Sequence, residues 1–157
     1  MVVKLSAIKP KGTRLTADKV RKIVKDAYDD VSTDVLRDLV ETTASWEHKP
    51  TFQRRTTADG GVEVYTDDDI FHYVDQGTKP HIIEPKQAPR LRFQSQYTAK
   101  TMPGNILSRP GGASGPFVFA KRVNHPGTEP RLITQTIMRR RGPLLKKRID
   151  DGLRKLV

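Results

Sequence analysis

The stretch TADKVRKIVKDAYDDVSTDVLRDLVETTASW, residues 16–46, decides the fold. Within it Val20, Ile23, Val24, Ala27, Tyr28, Val31, Val35, Leu36, Leu39 and Val40 recur at steps of three and four, the period of one amphipathic helix. Thr16 stands where an N-cap belongs, Asp18 falls in the positive first turn, and Pro50 forbids continuation. The spacing predicts a single helix of about 30 residues, roughly 45 Å long. In a chain of 157 residues, one small sheet cannot cover so long an apolar stripe. Part of that stripe is therefore expected to meet another subunit.

Working outward, residues 52–57 and 62–66 flank Ala58-Asp59-Gly60-Gly61 and read as a β-hairpin, because Asp-Gly supplies the positive φ angles of a tight turn. Asp67, Asp68 and Asp69 precede Ile70, Phe71, Tyr73 and Val74 and suit the positive end of a short helix, with Gly77 as its C-terminal cap and Pro80 beyond. Ile82, Ile83 and residues 91–93 read as extended segments, broken by Pro85 and Pro89. Residues 95–116, with four Gly and three Pro, form a loop of roughly twenty residues, well beyond ordinary connections. Such a loop is expected to be functional or to become ordered only in an assembly. Residues 117–123 resume as a strand, and residues 132–157 form a second, basic helix kinked at Gly142-Pro143.

These elements predict an α+β fold in one domain over residues 1–157. It comprises an N-terminal arm (1–15), a long helix (16–46), a small, mostly antiparallel sheet region (52–131) with its long loop (95–116), and a C-terminal helix (132–157).

Composition narrows the function classes. Twenty-nine Lys and Arg stand against 18 Asp and Glu, a net charge of +11, with 35% apolar residues. Residues 1–70 hold 12 basic and 13 acidic side chains, so the whole excess lies beyond them. A basic C-terminal half fits a surface that meets DNA or an acidic neighbour, or simply a solvated helix face. With no cysteine, disulfides, thiolate nucleophiles and iron–sulfur sites are excluded. No apolar run approaches a bilayer span, and none follows Met1-Val2-Val3-Lys4 as a signal peptide requires; the expectation is a soluble, non-secreted chain with no membrane partner.

The four histidines, His48, His72, His81 and His125, lack the short spacing of a zinc motif and any neighbouring nucleophile setting. Asn124-His125 suggests an HNH-type nuclease, but the flanking metal-ligand pattern is missing. Residues 67–69 offer three carboxylates without a second cluster to complete a metal site. The reading therefore assigns no catalytic residue, metal or cofactor. Asn124-His125-Pro126-Gly127-Thr128 instead reads as a shaped corner: Pro126 keeps His125 extended, Gly127 takes the left-handed position of a Pro-Gly turn, and Asn124 is placed to bond the backbone ahead. Gly77-Thr78-Lys79-Pro80-His81 makes a second corner.

Taken together, YVDQGTKPHIIEPK (73–86), LRF (91–93) and VFAKRVNHPGTEPR (118–131) closely resemble the neck, or tail-completion, proteins of long-tailed bacteriophages. The resemblance implies a virion structural protein of the head-to-tail joint. It would form a homo-oligomeric ring, a hexamer or alternatively a dodecamer, between a head-side connector or stopper and a tail terminator or tail tube protein, with genomic DNA passing through the channel. The location implied is the virion, with the host cytoplasm during assembly. Tyr73, Gly77, Thr78, Pro80, His81, Asn124, His125, Pro126 and Gly127 would then shape the subunit and its contacts rather than catalyse. The competing reading is a nucleic-acid-binding protein whose C-terminal helix grips phosphates through Arg139, Arg140, Arg141, Lys146, Lys147 and Arg148, residues that on the neck reading would equally pair with acidic surfaces of the neighbouring proteins.

Overall fold

A computed structural model describes residues 16–156; the proposed N-terminal arm, 1–15, lies outside them. The chain is an α+β protein. It runs α1 (Ala17–Thr43), β1 (Gln53–Thr56), β2 (Val62–Tyr65), α2 (Asp69–Gln76), β3 (His81–Ile83), β4 (Leu91–Gln94), β5 (Tyr97–Thr98), β6 (Gly112–Ala113), β7 (Phe117–Ala120), β8 (Val123–His125) and α3 (Ile133–Arg154). No helix among the described residues is long and apolar enough to cross a membrane.

The long helix is present but stops at Thr43, a turn earlier than its apolar pattern suggested. Its last turn is closed by threonine hydroxyls that bond back to the helix carbonyls, Thr43 Oγ1 donating to Leu39 O at 3.0 Å. Trp46, whose backbone N–H bonds Thr43 O at 3.0 Å, then folds under the helix end. There it joins Leu39, Phe71, Ile133 and Ile137 in the core, with Val35, Phe52, Val64, Val74 and Ile106 packed around them. Phe52 meets Phe71 edge-on at 5.0 Å between ring centroids, a favoured aromatic geometry. One apolar cluster thus ties α1, the hairpin, α2 and the start of α3.

Among the described residues the strands form four two-stranded antiparallel ribbons rather than one small sheet. β1 pairs with β2 across the Asp59-Gly60 turn, as the hairpin reading requires. What reads as one strand over 117–123 breaks at Lys121 and Arg122 into β7, which pairs with β4, and β8, which pairs with β3. The break follows from unequal lengths: residues 84–90, with Pro85 and Pro89, separate β3 from β4, while two residues separate β7 from β8. A single continuous ladder cannot absorb that difference.

The long connection at 95–116 carries the short β5–β6 ribbon, and its middle folds back onto the end of α1. Thr42 Oγ1 donates to Ile106 O, Ser108 Oγ donates to Thr42 O, and Lys100 Nζ donates to Ser45 O at 3.0 Å. Ile106 reaches the core cluster. Polar side chains at the end of α1 supply bonds that the composition of the loop did not advertise.

α3 runs as one helix through Pro143 and lies antiparallel to α1. Arg141 straddles Asp38, its Nε and one terminal nitrogen each 2.6 Å from a carboxylate oxygen, and Arg148 donates to Asp34 at 3.0 Å and lies 3.3 Å from Asp30. Asp30, Asp34 and Asp38 form one i, i+4, i+8 row along α1. The Arg141 guanidinium, bonded to both oxygens, holds the Asp38 carboxyl below its ordinary value against the opposing effect of burial.

Removing one partner strands a buried charge, so Arg141→Met alone should cost about 3–5 kcal/mol in urea unfolding. The paired change Asp38→Leu with Arg141→Met should cost clearly less. Because the folded Asp38 carboxyl titrates low, its contribution is complete above the unfolded value, about 3.9, and disappears as pH falls through the lowered value. Acid unfolding followed by circular dichroism should therefore be shallower in Asp38→Asn than in the wild type.

Candidate functional site

The two corner motifs, nearly fifty residues apart in sequence, form one unit. Thr78 and Thr128 exchange backbone hydrogen bonds at 3.0 and 3.1 Å, and Thr128 N–H also reaches Thr78 Oγ1 at 3.0 Å. Next along the ladder His81 pairs with His125 and Ile82 with Asn124. The His81 and His125 rings lie 5.0 Å apart, tilted by 33°.

Two glycines make this contact possible. Gly77 has φ +75° and Gly127 φ +89°, values that side chains other than glycine rarely adopt. A Cβ on Gly77 would lie 2.5 Å from Thr128 O, and one on Gly127 would lie 2.2 Å from Thr78 O. Each glycine thus vacates the space that the opposite corner occupies. Pro80, Pro126 and Asn124 are exposed. The local bond ahead of the second corner comes from His125 rather than Asn124: Gly127 N–H donates to His125 Nδ1 at 3.1 Å.

All four histidines have a partner close by. His125 Nδ1 accepts from Gly127, which places its neutral-form proton on Nε2, whereas His81 Nδ1 donates to Lys79 O at 2.8 Å. His48 meets the Asp68 carboxylate, and His72 Nε2 donates to Thr66 O at 3.1 Å. Burial pushes the Asp68 carboxyl up, but the bonds from His48 and from Phe71 N–H at 2.7 Å outweigh it and hold the group low. Asp68 is thereby the N-cap of α2, the role expected for the acidic run. No group of three or more His, Asp and Glu placed to hold a metal occurs among the described residues.

Asp75 carries a role that sequence reading overlooked. Although it belongs to α2, its carboxylate accepts from Thr134 N–H at 3.0 Å and its carbonyl from Leu132 N–H at 3.0 Å. It therefore caps α3, whose own N-cap residue, Leu132, sits at φ +56° and has no side chain able to do so. The signal available was only an acidic residue near the end of α2. Tyr73, two residues earlier, points away and is largely exposed.

The basic helix divides. Arg139, Arg140, Lys146 and Lys147 are exposed on α3, while Arg141 and Arg148 are engaged by the carboxylates of α1. Those two thus make ion pairs within the chain. Their i, i+7 spacing aligns them with the acidic row, a match that becomes visible only once the two helices are set antiparallel.

Gly127→Val should be far worse than His125→Ala. Backbone strain alone costs about 1–3 kcal/mol, and the clash with Thr78 adds to it, whereas His125→Ala removes one hydrogen bond worth about 1 kcal/mol. Asp75→Ala should lower stability by about 0.5–2 kcal/mol through the lost cap. Thermal denaturation of the three variants, followed by circular dichroism, checks the order. Comparison of the chain with protein-family models, curated proteins and solved structures finds no match.

Proposed function

We propose that this chain is a structural subunit of the head-to-tail joint of a long-tailed bacteriophage, assembling as a ring that completes the neck. The observation that carries the reading is the union of its two corner motifs. The residues on which the resemblance rests, Gly77, Thr78, Pro80 and His81 with Asn124, His125, Pro126 and Gly127, meet across one ladder and serve as architecture. Their imidazoles are tied to the local backbone. This use of the motif suits a protein whose work is to hold a shape between neighbours. The surrounding partners on this reading are a head-side connector or stopper and a tail terminator or tail tube protein, and the setting is the virion.

A second reading, nucleic-acid binding, draws on exposed cations of α3, Arg139, Arg140, Lys146 and Lys147 among them. The two readings separate by experiment. Lysates of phage lacking this gene should show, by electron microscopy, DNA-filled heads beside separate tails, joined again when the protein is added back. Joined virions in its absence would sink the neck reading. A dedicated DNA binder should instead hold duplex DNA tightly as a free subunit, with a log–log salt slope of about −0.9 for each phosphate contacted. For the ring subunit the expected binding is weak, and Arg139→Ala with Lys146→Ala should leave head–tail joining intact.

A further inference from the structure

The β4–β7 ribbon stands clear of the helices. Each strand pairs only with the other, and among the described residues no helix packs extensively on either. Its register sets Arg92 opposite Phe119 and Gln94 opposite Phe117, so these four side chains share one face. All four are exposed. The Arg92 guanidinium lies over the Phe117 ring, 4.0 Å from its centre, while Phe119 stays 59% open to solvent. Beyond Gln94 the same excursion presents Tyr97, also exposed.

Cations frame these rings, with no carboxylate in the same stretch of chain. Arg90 immediately precedes and Lys121 immediately follows the end pair Leu91–Ala120, with Arg122 next. These three, Lys86 and Arg92 are all exposed, and none of the five forms an ion pair among the described residues. Residues 85–128 contain no Asp or Glu; the nearest in sequence are Glu84 and Glu129. The β1–β2 hairpin differs on this point, since there Arg55 is answered across the strands by Glu63 at 2.8 Å.

Rings interleaved with unanswered cations discriminate among ligands. A protein surface of mixed charge would meet nothing on the ribbon able to answer its own cations. Duplex DNA would use the arginines and lysines but leave the phenyl rings in water, because its bases are already stacked on one another. An unpaired strand uses both: its phosphates meet the cations, and its bases stack on aromatic rings and guanidinium planes.

We propose that the β4–β7 ribbon binds single-stranded nucleic acid, with bases stacked on Phe119 and on the Phe117–Arg92 pair, and phosphates held by Arg90, Lys121 and Arg122. The site is separate from the cations of α3, and the inference goes beyond the neck reading.

The test titrates the full chain into fluorescent strands of about 12 nucleotides, within the usual site size, and follows anisotropy at physiological salt. The probes are oligothymidylate, oligouridylate, an abasic strand of the same length and a duplex, with labelled polyglutamate standing for an acidic protein. At least one of the two base-bearing strands should bind about 5-fold or more tighter than the abasic strand, the effect of one stacked base. Phe119→Ala should remove most of that advantage and leave binding to the abasic strand unchanged, whereas Phe119→Tyr should keep it. Arg122→Ala should weaken base-bearing and abasic strands alike and flatten the log–log salt slope by about 0.7.

Equal affinity of the wild type for base-bearing and abasic strands would overturn the proposal, and that comparison needs no variant. Tighter binding of the duplex or of polyglutamate would overturn it too, as would a Phe119→Ala protein that keeps the full preference. Head–tail joining in phage without the gene bears on the neck reading alone.

Discussion

The α1–α3 pairing depends on two arginines reaching across to a row of aspartates. Asp38 is almost wholly buried and Arg141 nearly so, and the bidentate bond between them leaves little freedom in how the two helices slide. Arg148 repeats the arrangement two turns along, sharing Asp34 with Arg141 and Arg37. Apolar packing alone tolerates a shift of one turn, because a stripe of valines and leucines looks much the same four residues on. A buried charge without its partner does not tolerate that shift. The ion pairs thus set register, and the register places Ile133 and Ile137 against Leu39 and Trp46 in the core.

From that fixed pair the remaining elements are attached by backbone hydrogen bonds more than by extensive apolar burial. Asp75 ties the end of α2 to the start of α3. The two glycine corners join the first and last turns of the long excursion between those helices, and Thr42, Ser45 and Ser108 hold its middle to α1. A small core supports such a fold because each attachment satisfies groups that would otherwise be left unpaired. It also accounts for the bare ribbon: with the excursion held at both ends and in the middle, β4 and β7 need not pack on a helix to stay paired. Phe93, Phe117 and Phe119 stay exposed on it.

Much of this was legible in the residues. The three- and four-step spacing in 16–46 marks α1, Asp59-Gly60 marks the hairpin, and the acidic run before Ile70 marks the start of α2. Gly77 and Gly127 were each readable as a left-handed corner from the proline nearby. Less legible was that the corners meet, because nothing in either pentapeptide specifies a partner nearly fifty residues away. The cationic run on α3 likewise presents six similar residues. Only the opposing acidic row separates Arg141 and Arg148, which face α1, from the four that face solvent.

What the sequence determined by itself is local: helix periods, caps, turns and the uneven distribution of charge all follow from interactions within a few residues along the chain. Tertiary structure decided the division of 117–123 between two partners, the docking of 95–116 on α1, and the service of Asp75 to a helix other than its own. Each of those outcomes depends on which unpaired donor or acceptor happens to lie across a gap. That distance is set by the packing of α1 on α3, not by the order of residues along the chain.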